Sequence, residues 1–248
     1  MIATIIEFSR YFVALLFGAA VAVSFAGMAR KRKNLLSFGF FIILLFVLQF
    51  VSLRTWGMAV TIKIYPLLSH LPVAVFIALC LKRSWLISLP SMFVSFLCCQ
   101  PPRWVGTVTG NVFDSASMDH VGYIVAAFLI YYFLRKYVVS SARHLMERSV
   151  KSCLLFGAMP VFYYLFDYSA SVYTDFMYSG ERAAVQFIPF ATSVFYFVFV
   201  LLYYAETQKQ VNIQRERDIL DTQLRQARTE FASLRQMQQV TAAYRHDM

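Results

Sequence analysis

The chain has 248 residues, of which 59% are hydrophobic, 17% aromatic and only 15% charged, and its mean hydropathy is +0.59. Soluble domains are about half apolar and a quarter charged, so this composition excludes an ordinary soluble protein and predicts an all-α integral membrane protein. The net charge of +10 indicates an anionic neighbour, which is either nucleic acid or the lipid headgroups of a membrane.

Seven apolar segments follow one another along residues 1–204. A helix needs about 20 apolar residues to cross the hydrocarbon core of a bilayer. Four segments reach or approach that length, at residues 11–29, 35–53, 64–81 and 183–204, and three are shorter, at 85–100, 121–134 and 153–166. The shorter ones fit spans, re-entrant segments or interfacial segments. We predict a polytopic membrane helix bundle of about seven transmembrane helices, with six as the alternative.

Basic residues collect on alternate loops between these segments. The loops at residues 30–33, 82–83 and 135–151 hold 4, 2 and 5 Lys or Arg residues, and their only acid is Glu147. The positive-inside rule places such loops in the cytoplasm, which puts the N-terminus outside and the C-terminus inside. Topology and contact with anionic lipid of the inner leaflet explain the net charge, so the sequence predicts no nucleic-acid partner.

The apolar segments contain little of the chemistry that transport or catalysis needs. His70 is the one ionisable residue well inside a long span, and we expect it to bond to a neighbouring helix or to a backbone carbonyl. The four cysteines lack metal-ligand spacing, and the chain has no nucleotide-binding or metalloprotease motif. The sequence therefore predicts no metal or other cofactor in this chain and gives little support to a transporter.

Two segments on the predicted outer side, residues 100–120 and 167–183, mix aromatic, hydroxyl and acidic side chains. Such surfaces suit the rim of a pocket for a small or peptide ligand. The alternative is that their aromatic residues form the interfacial belt of the bundle. Both interpretations stay open, because the two can hold together. The aromatic residues concerned are Trp104, Tyr168, Tyr173 and Tyr178.

The composition changes at residue 205, where a charged tail without Gly or Pro begins. Helix-forming residues dominate it, and apolar residues recur mostly at steps of four and three. These residues are Ile213, Leu220, Leu224, Ala227, Phe231 and Leu234. One helix cannot bury such a stripe against itself, so residues 205–243 are predicted to form the cytoplasmic coiled-coil helix of a parallel homodimer.

The tail ends in Tyr244, Arg245, His246, Asp247 and Met248. Its aromatic-Arg-His-Asp sequence, which follows a membrane bundle and a coiled coil, resembles the H-box of sensor histidine kinases whose catalytic domain belongs to the GHKL ATPase superfamily. The resemblance is to membrane kinases related to quorum-peptide receptors of Gram-positive bacteria. It implies that residues 244–248 begin the dimerisation and phosphoacceptor region. His246 would be the catalytic phosphoacceptor, and Asp247 the carboxylate that orients its ring or accepts its proton.

The resemblance also implies partners and a missing domain. A response regulator would receive the phosphate, and an unknown small or peptide ligand would bind the bundle. In the family, an ATP-binding domain with Asn- and Gly-rich boxes follows the H-box, and this sequence contains none. ATP and Mg²⁺ would therefore bind a separate catalytic domain. We expect a chain truncated at its phosphoacceptor, or a natural short form, that is not an active protein-histidine kinase alone.

These observations predict a multi-pass sensor in a bacterial cell membrane, with a cytoplasmic C-terminal tail, that belongs to a two-component signal transduction system. The alternative from another class is a noncatalytic membrane scaffold or regulator that dimerises through its coil. A small transporter with an incidental helical tail is the third reading of the same features.

Overall fold

The computed structural model describes residues 2–29, 31–171 and 182–246. The chain divides into two compact units, Met1–Leu201 and Leu202–Met248. Throughout the described residues the regular structure is helical, which confirms the predicted all-α class. The α-helices are α1 (Ile2–Phe25), α2 (Arg32–Tyr65), α3 (Leu71–Leu79), α4 (Trp85–Cys98), α5 (Gln100–Val112), α6 (Ala116–Phe133), α7 (Val139–Arg148), α8 (Val150–Ser171) and α9 (Arg182–His246). Two π-helical turns, Pro66–His70 and Leu134–Val138, join α2 to α3 and α6 to α7.

The second helix folds back on itself at Gly57. This residue has φ 74° and ψ 176°, a conformation that is open almost only to glycine. A straight helix would separate residues nine apart by about 14 Å, at 1.5 Å per residue. Oγ of Ser52 nevertheless lies 3.0 Å from Oγ1 of Thr61. The reversal makes the predicted spans at residues 35–53 and 64–81 neighbours in space.

The first helix occupies the centre of the bundle, where it contacts α2, α3, α4, α6 and α7. Some of its small residues are buried, and Ala19 and Ala22 are 3% and 0% exposed. Small side chains let neighbouring helices approach the backbone closely. A Cβ added to Gly18, for example, would lie 3.5 Å from Sγ of Cys99. The core around α1 consists of Leu15, Ala19, Ala22, Val23, Ala26, Ile42, Leu45, Val73, Phe76 and Ile77.

The predicted outer segment at residues 100–120 is mostly helical. Only Cys99 separates α5 from α4, and α6 follows α5 after a short turn. Glycines let α5 and α6 pack at close range. A Cβ on Gly106 would lie 2.8 Å from the carbonyl oxygen of Asp119, and a Cβ on Gly122 would lie 2.5 Å from Oγ1 of Thr109. Hydropathy does not reveal α5, because the side chains that it buries include polar ones.

Much of the basic segment at residues 135–151 is helical as well. α7 is amphipathic and buries Leu145 and Met146 among other residues. It ends at Arg148. The backbone of the next residue, Ser149, is extended, and its Oγ accepts a hydrogen bond from the backbone N–H of Ser152 at 3.1 Å. A serine in this position caps the following helix, which is α8.

The three predicted cytoplasmic loops meet at one end of the bundle. Nη1 of Arg83 lies 3.1 Å from Oε1 of Glu147, and Nε of Arg143 lies 3.6 Å from Oε2 of the same residue. Gly27 leads into the first basic loop, and a Cβ there would lie 2.7 Å from Nη2 of Arg83. Loops that lie at the same end of the bundle are what an alternating membrane topology requires.

Large apolar side chains cover the outside of the first unit. Phe40, Phe162 and Phe195 are 72%, 74% and 73% exposed, and soluble monomers rarely expose wide apolar surfaces. Among the described residues, five helical stretches are long and apolar enough to cross a membrane. α4 is not one of them, because its 14 residues cover only about 21 Å. A membrane protein is thus supported, and the count of seven spans stays a prediction.

The N-terminal part of α9 belongs to the first unit and is held there by side-chain hydrogen bonds to backbone carbonyls. Oγ of Ser193 donates to the carbonyl of Leu97 at 2.9 Å. The hydroxyl of Tyr196 donates to the carbonyl of Phe156 at 2.6 Å. These bonds join α9 to α4 and α8.

The rest of α9 forms the second unit, which contains the predicted coiled-coil stripe. Leu220, Leu224 and Phe231 are 58%, 56% and 73% exposed in the single chain. The side chain of Leu234 lies outside the described residues. An apolar stripe of this kind is stabilised when another surface buries it. The coiled coil that would do so stays a prediction.

We expect Gly57→Ala to destabilise the protein by about 1–3 kcal/mol, because alanine strains the backbone conformation of the reversal. Space is not the obstacle, since nothing lies within 4 Å of a Cβ built on Gly57. Gly39→Ala is the matched control, because Gly39 lies in the same helix with equal space and a helical backbone. The control should leave stability unchanged or raise it slightly.

The measurement is thermal unfolding of the purified variants in detergent, followed by intrinsic fluorescence. A lower Tm is expected for Gly57→Ala alone. Equal Tm values for the two variants would contradict the reversal at this residue.

Candidate functional site

The predicted phosphoacceptor lies at the C-terminal end of α9. The backbone is helical as far as His246. The side chain of His246 and the whole of Asp247 lie outside the described residues. The roles of His246 and Asp247 therefore stay predictions.

A large cavity of about 560 Å³ lies between α1, α2, α4, α5 and α8. Its size falls in the range of sites for small molecules, which is roughly 300–1,000 Å³. We call it the large cavity. Aromatic and aliphatic side chains make up most of its wall, namely Tyr11, Met58, Ile62, Tyr65, Phe96 and Tyr168.

Three charged side chains also line the large cavity. They are Lys63 on α2, Arg103 on α5 and Asp167 on α8. Asp167 is only 8% exposed and accepts a hydrogen bond from the hydroxyl of Tyr163 at 3.3 Å. A polar group so deeply buried needs such a partner. The charges therefore sit in an apolar wall, as in many ligand sites.

The position of Arg103 follows from the start of α5. Pro101 and Pro102 lie in the first turn of this helix, where a missing N–H removes no helical hydrogen bond. Both prolines are buried. They anchor the helix start, and Arg103 comes directly after them at the edge of the cavity.

A small cavity of about 150 Å³ lies next to the large one, and Tyr65 and Phe96 line both. His70 lines the small cavity, and its Nδ1 lies 2.8 Å from the hydroxyl of Tyr164 on α8. This contact confirms the expectation that His70 bonds to a neighbouring helix. The rings of Tyr65, Phe96 and Tyr164 meet the imidazole edge to face, with centroids 5.0 to 5.5 Å away.

The backbone around His70 is unusual as well. Residues Pro66–His70 form the π-helical turn between α2 and α3, and π-helical turns are frequent at functional sites. Ser69 in this turn is buried and contacts the side-chain amide of Gln49 across the α2 reversal. The turn thus connects the reversed halves of α2 with the two cavities.

A second polar cluster joins the starts of α1 and α6. Nη1 of Arg10 lies 3.2 Å from Oδ1 of Asp119 and donates a hydrogen bond to Nδ1 of His120 at 2.8 Å. The guanidinium also lies 5.3 Å from the ring centroid of Tyr123. The sequence shows these groups only as unrelated charges of the outer side, because the partners are more than 100 residues apart. The cluster acts as a tie between two helices.

The structure places two of the four aromatic residues that the sequence assigns to a pocket rim or an interfacial belt, and that choice stays open. Tyr168 lines the large cavity, whereas Trp104 stacks on Phe190 of α9 with 4.3 Å between the ring centroids. Tyr173 and Tyr178 lie outside the described residues. The sequence reasoning missed Tyr65 and Phe96, which look like ordinary residues of an apolar span. It also missed Arg103, for which the preceding pair of prolines was the available signal.

No catalytic or metal centre emerges from the described part of the chain. Within it, no group of three or more His, Cys, Asp or Glu residues is placed to hold a metal ion. Comparison with models of protein families, with curated proteins and with solved structures gave no match. The class of the protein is therefore defined by its own features. It is an all-helical protein with helices that can span a membrane and with a ligand-sized cavity in the bundle.

Proposed function

We propose that this chain is the membrane sensor of a two-component signal transduction system. A signal molecule would bind the bundle, and α9 would relay the change to His246 as phosphoacceptor. The observation that carries the proposal is α9 itself, a helix that begins in an apolar segment and reaches His246. The H-box resemblance of residues 244–247 supplies the chemistry.

We further propose seven spans, with the N-terminus outside and the C-terminal tail in the cytoplasm of a bacterial cell. The cluster of Arg83, Arg143 and Glu147 supports this topology, because it brings basic loops to one end of the bundle. The large cavity lies at the opposite end, near the start of α1 and the end of α8. In this orientation it faces the outside, where an external signal arrives.

Cysteine labelling tests the topology. Asn111 and Arg148 are exposed and lie towards opposite ends of the bundle. In a Cys80→Ser background, we expect a membrane-impermeant maleimide to label Asn111→Cys on intact cells. Arg148→Cys should react only after the cells are opened, because the positive-inside rule places it in the cytoplasm. The reverse pattern would contradict the proposed orientation.

The proposed relay requires two copies of the chain, paired through the exposed stripe of α9. The stripe needs a cover, and the same stripe of a second chain supplies one. We expect Leu224→Cys to form a disulfide-linked dimer in oxidised membranes, because facing stripe positions of a parallel pair come within disulfide range. Thr222→Cys is the matched control, since Thr222 lies on another face of the same turn.

The dimer is measured by non-reducing electrophoresis in the same Cys80→Ser background. Leu224→Cys should cross-link strongly and Thr222→Cys weakly. If both variants cross-link to the same extent, collision in the membrane explains the product and the coil is not the interface.

The proposed chemistry is phosphoryl transfer to His246. A neutral ring nitrogen would attack the γ-phosphorus of ATP, so that the new P–N bond forms as the bond to the β-bridging oxygen breaks and ADP leaves. Asp247 would take the proton from the other ring nitrogen. A separate catalytic domain would bind ATP and Mg²⁺. The phosphoryl group would then pass to an aspartate of a response regulator.

Labelled phosphate tests this function. With a separate GHKL catalytic domain and γ-labelled ATP, we expect the wild-type chain to become labelled and His246→Gln to lose the label entirely. His144→Gln is the matched control, because His144 is an exposed histidine on a helix outside the H-box and should not affect labelling. Equal labelling of wild type and His246→Gln would exclude His246 as acceptor. No labelling of the wild type would favour a noncatalytic scaffold.

A further inference from the structure

We propose that the large cavity binds an organic anion that carries one negative charge and an aromatic or aliphatic body, with the Arg103 guanidinium as its anchor. The cavity is the one between α1, α2, α4, α5 and α8. As the input of a sensor, this site rests on the proposed function. Binding itself can be measured without phosphoryl transfer, so the two proposals can fail separately.

Arg103 is a partly buried cation on the cavity wall. Among the described residues, its side chain makes no hydrogen bond and no ion pair within 4.0 Å. Other partly buried arginines are paired: Arg10 lies 3.2 Å from Asp119, and Arg83 lies 3.1 Å from Glu147. A charge withdrawn from water is costly unless it is paired. The carboxylate of Asp167 interacts with Arg103 electrostatically but makes no ion pair with it within 4.0 Å. An anion in the cavity would supply the hydrogen-bonded partner of Arg103.

A carboxylate is the anion that fits this side chain well. The planar guanidinium offers parallel N–H donors that match the two oxygens of a carboxylate. The remaining wall is apolar, and Tyr65, Phe96 and Tyr168 supply ring faces and edges for the body of the ligand. The chemistry of the wall therefore favours an amphiphilic monoanion over a sugar or a simple inorganic ion.

The carboxylate of Asp167 limits the charge of the ligand. It lies on the same wall as Arg103 and interacts with Arg103 electrostatically. One negative charge on the ligand can bind at Arg103, whereas a second one would approach Asp167, which accepts a hydrogen bond from Tyr163. Repulsion there would select against dianions.

Such an anion can reach the cavity from water or from the lipid bilayer. Tyr11, Met58 and Ile62 on the wall are 48%, 48% and 43% exposed, so the cavity is open beside them. Two probes separate the sources. Labelled 3-phenylpropionate is a water-soluble monoanion, and labelled dodecanoate partitions into the bilayer.

The experiment measures equilibrium binding of each probe to the full chain in nanodiscs of phosphatidylcholine, which add no anionic lipid. We expect saturable binding that Arg103→Gln weakens by about 10- to 100-fold, the usual worth of a charge-assisted hydrogen bond. The affinity of Arg103→Lys should lie between that of the wild type and that of Arg103→Gln. Arg54→Gln is the matched control, because Arg54 is exposed outside the cavity, and it should bind like the wild type.

A neutral competitor tests the role of charge directly. The amide 3-phenylpropionamide should displace 3-phenylpropionate at least about 10-fold less well than the unlabelled carboxylate does in the wild type. In Arg103→Gln this preference should disappear. If the amide competes as well as the carboxylate in the wild type, the Arg103 guanidinium is not the anchor of the ligand.

A second variant tests the location without touching a charge. Ala59 is an exposed residue on the cavity wall, and Ala59→Trp should fill the space and abolish binding of both probes. Ala116→Trp, at an exposed position on α6, is the matched control and should bind normally. Thermal unfolding of all variants shows whether they are folded.

Several outcomes would overturn the proposal. One is the absence of saturable binding of either probe up to about 10 mM, which is weaker than a specific site requires. Another is unchanged binding in Arg103→Gln, which would show that Arg103 does not anchor the probes. His246→Gln should bind the probes like the wild type, so a failure of the phosphoacceptor proposal leaves this result intact.

Discussion

The bundle depends on close approach to the backbone of α1. Five helices contact it, and they can approach its backbone at Ala19 and Ala22, where the buried side chains are small. Both ends of the bundle are tied to this helix. Arg10 near its start pairs with Asp119, and Gly27 after its end leaves room for the side chain of Arg83. Larger residues on α1 would move the surrounding helices outward and separate the walls of both cavities.

The sequence was sufficient for the helical class and for the position of most helices, because long apolar runs fold as helices wherever lipid surrounds them. It also indicated a bonding partner for His70. The sequence did not predict amphipathic or polar helices such as α5 and α7, because hydropathy averages over their two faces. It did not predict the large cavity either, because Arg103 and Asp167 reach the same cavity wall only through packing of helices that are distant in sequence. His246 and Asp247 rest on sequence resemblance.

A ligand in the large cavity can affect the interior of the bundle through side chains that both cavities share. Tyr65 and Phe96 stand between them and line both, and the same rings contact the imidazole of His70. A ligand in the large cavity would therefore press on rings that already touch His70 and the π-helical turn. A receptor can respond to a ligand only by binding one conformation better than another. Because these rings line the ligand cavity and also contact the helix junction, the affinity for a ligand can differ between two conformations of that junction.

The π-helical turns at Pro66–His70 and Leu134–Val138 have a consequence for the evolution of chain length. Each holds one residue more than the α-helical pattern would close. Five residues of π-helix rotate the chain by about as much as four residues of α-helix. Loss of one codon in such a turn would therefore restore a regular helix and leave the buried and lipid-facing sides of α3 or α7 almost unchanged. The same loss in the middle of a regular α-helix would rotate everything beyond it by about 100°. These two turns are therefore places where the chain can shorten by one residue without rotating the helix that follows.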